Sequence, residues 1–143
     1  MAAGTFTFYT NFMEKIGNGA INLETDTLCL ALVASAYAPD GLHSDYATQV
    51  EVNVVSSSTT ARLHALTNVN WTISGSATVK LDSDDIVTTA AGVMKAKYAV
   101  IFTQSAGELV AYCDLETTAA TGVEATQINV QMPAGGIGSV QNG

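Results

Sequence analysis

Apolar and polar residues alternate in short runs along much of the chain, which is the pattern of β-strands. Residues 27–33 read TLCLALV, with apolar side chains on both faces, and predict a strand that is covered on both sides. Val50, Val52 and Val54 alternate with Glu51 and Asn53 and predict a strand with one buried face. These runs indicate a protein that consists mainly of β-strands.

The second half of the chain continues the pattern. Residues 69–74 and 77–81 alternate on either side of a Ser-Gly-Ser turn and predict a hairpin. A strand is predicted at residues 94–102, followed by strands at 109–115 and 128–132. In the first of these three strands, the residues predicted to share one face are Met94, Ala96, Tyr98, Val100 and Phe102.

One short helix is predicted near the start, with Thr10 as its N-cap and Gly17 at its end. A long loop follows the first strand at residues 34–48, where Pro39-Asp40-Gly41 is a turn signal. The predicted fold class is all-β: an antiparallel β-sandwich or barrel of about seven or eight strands with one short N-terminal helix.

The chain of 143 residues, 48% of them hydrophobic, is suited to a single domain spanning residues 1–143. Residues 1–9 contain Phe6, Phe8 and Tyr9 and are interpreted as an arm or as a first edge strand. Residues 133–143 are rich in glycine and are predicted to form a flexible tail.

Charged residues make up only 13% of the chain, against about 25% in ordinary soluble domains, and the net charge is −8. Five basic residues are too few for the phosphate contacts that nucleic-acid binding needs, so no nucleic-acid partner is predicted. No apolar stretch approaches the ~20 residues of a membrane span, and residues 1–5 contain no basic signal-peptide region. We therefore expect synthesis in the cytoplasm and no membrane association.

The residues with potential chemistry form no recognised motif. Asp82, Asp84 and Asp85 are candidate calcium ligands, although the segment lacks the glycine and the distal glutamate of a calcium loop, and a solvated strand end is the simpler interpretation. His43 and His64 are both isolated from other metal-ligating residues, and no nucleophile elbow is present. The sequence therefore predicts no catalytic residue, no cofactor and no enzymatic activity.

Cys29 and Cys113 fall inside apolar runs and are interpreted as buried thiols, with a disulfide left open. Residues 99–102 are apolar on both faces, so one face could complete the domain core while the other meets a second copy of the chain. On this basis Ile101 joins Phe6, Phe8 and Tyr9 as a candidate for partner contact.

Three segments resemble small virion proteins of tailed bacteriophages. They are TNFMEKIGNGAINLETDTLCLALVASAYAPD at residues 10–40, LDSDDIVTT at 81–89 and KAKYAVIFTQSAGELVAYCDL at 95–115. The resemblance implies a capsid decoration, or cement, protein. Such a protein would be a β-sandwich homotrimer on the outer surface of the virion head, bound to the major capsid protein. Residues 50–69 are rich in Ser and Thr where that family often has a Gly/Tyr-rich stretch, so the capsid-binding loops are not assigned.

Two alternative functions remain open from the sequence. The first is a structural subunit of the phage tail or neck. The second is a virion-displayed β-sandwich that binds a carbohydrate or host receptor through the aromatic residues Tyr37, Tyr46 and Trp71.

Overall fold

The computed structural model describes residues 5–55, 65–74, 78–115, 122–133 and 136–141. Within these ranges there are nine strands, two α-helices and one 3-10 helix. In chain order the elements are β1 (Thr7–Phe8), α1 (Thr10–Gly17), β2 (Leu28–Val33), α2 (Tyr46–Gln49), the 3-10 helix (Glu51–Asn53), β3 (Asn70–Ser74), β4 (Thr78–Asp82), β5 (Ile86–Ala96), β6 (Tyr98–Thr103), β7 (Leu109–Asp114), β8 (Val123–Val130) and β9 (Gly138–Gln141).

The described strands form three antiparallel sheets. The largest has the order β1-β7-β6-β2, and its central register aligns Leu30 with Ile101. A second sheet has the order β3-β4-β9, and β5 pairs with β8 in a third. The predicted all-β fold class with a short N-terminal helix is confirmed.

The four-stranded sheet is buried on both faces, as the TLCLALV run predicts. All six residues of β2 are buried. Leu28, Leu30 and Leu32 face the larger core, which also contains residues of β4, β5 and β8. Cys29 and Val33, on the opposite face, belong to a second core beneath the segment that contains α2. The sheet is therefore the middle layer of the molecule.

Helix α1 lies where the sequence predicts it, but its cap differs. Tyr9 occupies the N-cap position with extended backbone angles, and Thr10 is the first helical residue. Phe12 is fully buried and anchors the helix to the larger core. At eight residues, α1 is too short to be stable without that packing.

The predicted strand at Val50–Val54 is wrong. The segment instead contains the 3-10 helix, which directly follows α2, and Val52 is 79% exposed. The Asp45 carboxylate accepts a hydrogen bond from the Ala47 backbone N–H at 2.9 Å and caps α2. The helical path then continues through backbone hydrogen bonds from the Val50 N–H to the Tyr46 carbonyl and from the Asn53 N–H to the Val50 carbonyl, in place of the extended chain that the valine alternation suggests.

The predicted single strand at residues 94–102 is also wrong, because it breaks at Lys97. Met94 and Ala96 share the larger core with Ile101, whereas Val100 lies in the second core. At the break, the Lys97 backbone N–H donates to the Val33 carbonyl and the Lys97 carbonyl accepts from the Leu115 N–H, both at 2.8 Å. The alternation shifts by one residue there, so even-numbered residues face the larger core before the break and odd-numbered residues face it after the break.

The structure tests the predicted hairpin and the predicted C-terminal tail in part. The hairpin is confirmed, with Trp71 opposite Leu81, although its turn at residues 75–77 lies outside the described residues. The flexible tail at residues 133–143 is wrong for Gly138–Gln141, which form β9 along β4. Ile137, just before β9, is only 2% exposed and holds this strand against the core.

Candidate functional site

The residues predicted to contact a partner lie inside the chain's own fold. The exposed fractions of Phe6, Tyr9 and Ile101 are 6%, 0% and 0%. Phe8 is half-buried and stacks on Phe12 with ring centroids 4.6 Å apart. These four side chains therefore pack within the subunit itself. The prediction that they contact a partner is wrong for this reason.

The segment at residues 5–9 contains the short edge strand β1 (Thr7–Phe8) rather than forming an arm. Thr7 and Phe8 pair with Tyr112 and Ala111 of β7. A Cβ at Gly138 would lie 2.6 Å from Cε2 of Phe8, so the glycine allows β9 to approach the aromatic ring closely. Residues 1–4 lie outside the described residues.

The three candidate calcium ligands have separate structural roles. The Asp82 carboxylate is 3.2 Å from Nζ of Lys80, and Asp85 accepts a hydrogen bond from the Met132 N–H at 2.6 Å. Asp84 accepts one from Nδ2 of Asn68 at 2.5 Å. Within the described ranges, no three His, Cys, Asp or Glu residues are grouped as metal ligands would be. The three carboxylates therefore have three different partners: a lysine, an asparagine amide and a backbone N–H.

Cys29 and Cys113 do not form a disulfide with each other. Their strands β2 and β7 lie on either side of β6, where Cys29 is opposite Phe102 and Cys113 is opposite Ala99. The two side chains also belong to different cores. His64, the second of the two isolated histidines, lies outside the described residues.

A hydrogen-bonded chain of Tyr9, Tyr37 and His43 crosses the second core. The hydroxyl oxygens of Tyr9 and Tyr37 are 2.8 Å apart, and that of Tyr37 is 3.0 Å from Nδ1 of His43. Burial raises the pKa of the Tyr9 hydroxyl far above its usual range and, together with the nearby Tyr112 and Asp40, raises the pKa of Tyr37. Both tyrosines therefore stay protonated near neutral pH.

This hydrogen-bonded chain fastens the loop at residues 34–45 to the start of α1. The same loop accepts hydrogen bonds at Gly41 from the Thr10 N–H (2.7 Å) and at Leu42 from the Asn11 amide (2.9 Å). The sequence contains no periodic pattern that would pair Tyr9 with Tyr37, 28 residues away. This hydrogen-bonded arrangement of Tyr9, Tyr37 and His43 has a structural role, and we refer to it as the clasp.

The two tyrosines proposed as sugar-binding residues are not on the surface. Tyr37 is 3% exposed, and Tyr46 is fully buried with its ring stacked 3.7 Å from that of Phe102. Of the three aromatic residues in that hypothesis, Trp71 alone retains partial exposure.

Trp71 forms one wall of an open cleft of about 290 Å³ between β3 and the segment that follows α1. The remaining lining residues are Ile16, Gly19, Ile21, Asn22, Leu23 and Glu24. Ile21 and Leu23 are themselves nearly buried, so the floor of the cleft belongs to the larger core. This cleft was not predicted, because its walls are about 50 residues apart in sequence.

Several large apolar side chains are exposed outside the cores. Ile73, two residues after Trp71 on β3, lies on the same face of that strand and is 79% exposed. Others with at least 49% exposure are Leu42, Val52, Val87 and Val93.

The described lysines are all paired with carboxylates. The pairs, with their N–O distances, are Lys15–Glu108 at 2.7 Å, Lys80–Asp82 at 3.2 Å, Lys95–Glu124 at 3.6 Å and Lys97–Asp114 at 2.9 Å. Because acidic residues outnumber basic ones by 13 to 5, the unneutralised charge of the surface is negative. The surface therefore favours cationic over anionic partners.

No helix among the described residues has the length and apolar character needed to cross a membrane. Comparison with protein-family models, with curated proteins and with solved structures found no match.

Proposed function

We propose that this chain is a non-enzymatic structural protein of a tailed-bacteriophage virion that decorates and stabilises the capsid. The observation that carries the proposal is the presence of well-exposed apolar side chains, such as Ile73 and Val93, outside a sheet that is already buried on both faces. In this proposal, the exposed apolar side chains of β3 and β5, which lie outside that sheet, form the contacts between subunits. The resemblance of residues 10–40, 81–89 and 95–115 to phage virion proteins supports the same function.

The physical demands on a decoration protein agree with this architecture. Such a protein contacts a symmetric lattice at many equivalent positions, so modest affinities multiply. The doubly covered sheet supplies a rigid body, which reduces the entropy lost on binding. In this proposal the chain forms a homotrimer on the outer surface of the head and binds the major capsid protein.

The proposal is tested by mixing purified protein with heads of its own phage. We expect the protein to run as a trimer in light scattering and to cosediment with expanded heads but not with procapsids. Ile73→Asp should weaken this cosedimentation, because a charge replaces an exposed apolar side chain. Thr72→Asp is the matched control, since Thr72 is also exposed but lies on the opposite face of β3.

A monomeric protein that binds neither form of head would contradict the decoration function. Immunogold labelling of intact virions gives an independent answer. Gold over the whole shell supports decoration, whereas gold confined to the tail or to a single vertex would favour a tail or neck subunit.

A further inference from the structure

We propose that the Trp71 cleft binds the cationic side chain of an arginine or lysine presented by a partner protein. This inference concerns the cleft alone and holds whether or not the chain decorates a capsid. It rests on three properties of the cleft: the chemistry of its walls, its charge and the way its loop is held.

The walls suit a long aliphatic stem that ends in a cation. Trp71 lines the cleft of about 290 Å³ together with the apolar residues Ile16, Ile21 and Leu23. Methylene groups of Lys and Arg pack against such apolar surface while the charged end remains near water. Tryptophan is also the aromatic side chain that attracts a cation most strongly through its ring face.

The charge of the cleft selects a cation over an anion. Glu24 is the one ionisable residue among the lining residues, and no basic side chain lies among them. The described lysines are all engaged with carboxylates elsewhere, so none of them neutralises Glu24 through an ion pair. An anionic ligand would meet Glu24 without a compensating charge, whereas a guanidinium or ammonium group would gain an ion pair.

The loop that contains Glu24 is already held in one conformation. The Asn22 side-chain oxygen accepts a hydrogen bond from the Glu24 N–H at 3.0 Å, and the Asn22 N–H donates to the Asp26 carboxylate at 2.8 Å. The Ile21 N–H donates to the Lys15 carbonyl at 3.0 Å and joins the loop to α1. Because the loop is ordered before binding, little entropy is lost when a ligand enters.

The sole tryptophan of the chain makes the test direct, because its fluorescence reports on this cleft. We would titrate the wild-type protein with N-acetylarginine amide and N-acetyllysine amide at low ionic strength. The expected result is a saturable change in emission with a Kd on the order of millimolar, as suits one side chain with a cation–π contact and an exposed ion pair. Added salt should weaken binding.

The control ligand and the control variant separate charge from shape. N-acetylcitrulline amide has nearly the shape of the arginine ligand but is neutral, and it should bind clearly more weakly. Glu24→Gln should weaken arginine binding about threefold, the usual worth of an exposed ion pair. Glu124→Gln, which removes the same charge from an exposed residue outside the cleft, should leave binding unchanged.

Any of the following results would overturn the inference: equal binding of the arginine and citrulline ligands, the same affinity in Glu24→Gln as in the wild type, or the absence of any saturable change. A change produced by methyl glucoside but not by the cationic ligands would also overturn it and would identify the cleft as a sugar site.

Discussion

The hydroxyl oxygens of Tyr9 and Tyr37 lie 2.8 Å apart, where the N-cap residue of α1 meets the loop that follows β2. Tyr9 is fully buried and Tyr37 is 3% exposed, so water cannot readily replace either partner. Tyr37 also reaches Nδ1 of the half-buried His43. Two segments remote in sequence are therefore held together by a hydrogen bond that is costly to break.

Removing one hydroxyl of this pair should destabilise the protein. Tyr37→Phe leaves the Tyr9 hydroxyl buried without its partner, and an unsatisfied buried polar group costs about 1–3 kcal/mol. Tyr9→Phe should cost a similar or smaller amount, because Tyr37 retains its contact with His43. Urea unfolding, followed by circular dichroism, measures both differences.

The double variant provides the control for this interpretation. If the two hydroxyls depend on each other, Tyr9→Phe combined with Tyr37→Phe should cost less than the sum of the single changes. Additive costs would show that the hydroxyls contribute independently, and the clasp would then have no energetic basis.

Stability should fall as the pH rises above 10. The pKa values of Tyr9 and Tyr37 are raised in the folded protein, so both hydroxyls keep their protons when the unfolded chain, with an ordinary pKa of about 10, has lost them. The unfolded state then binds fewer protons than the native state. Each tyrosine therefore lowers the free energy of unfolding by up to about 1.4 kcal/mol per pH unit between pH 10 and its folded pKa.

Denaturant unfolding at several pH values between 9 and 11 checks the alkaline effect. Tyr37→Phe removes one of the two buried titrating groups, so its stability should decline less steeply than that of the wild type. Parallel declines in the two proteins would indicate that the alkaline loss comes from other residues.

The sequence predicts the fold best where a single local pattern determines the structure. The run TLCLALV at residues 27–33 is apolar on both faces, and β2 is buried on both faces because α2 and its neighbouring loop cover the second one. The hairpin of β3 and β4 likewise follows from alternation on either side of a short turn. The function-related prediction for Phe6, Tyr9 and Ile101 failed because apolar residues look alike whether they pack inside one subunit or between two.

Other features depend on contacts that no local pattern records. The change of face at Lys97 is fixed by backbone hydrogen bonds to Val33, at the end of β2, and to Leu115, which directly follows β7. The Trp71 cleft needs the loop at residues 19–24 to fold back against β3. Such features arise only when distant segments meet, so alternation along the chain cannot reveal them.

The two cysteines should behave as inert buried thiols. Cys29 and Cys113 are 0% and 1% exposed and lie in different cores, so oxidants should not link them in the native protein. Reductant should leave the thermal midpoint and the mobility in non-reducing gels unchanged. Ellman's reagent should label both thiols rapidly only after denaturation. Rapid labelling of the native protein, or a reductant-dependent midpoint, would contradict their placement.

Two glycine substitutions should have effects of opposite sign. Gly122 has φ +81°, and a Cβ there would lie 2.6 Å from the Lys97 Cα and would also meet the Ala96 carbonyl. Gly122→Ala should therefore lower the free energy of unfolding by at least about 2 kcal/mol, from backbone strain and the collision together. At the end of α1, a Cβ at Gly17 would have no atom within 4 Å. Gly17→Ala should therefore raise the free energy of unfolding by about 0.5–1 kcal/mol. Urea unfolding of both variants tests the pair, and a neutral Gly122→Ala would contradict the close approach of β8 to the break at Lys97.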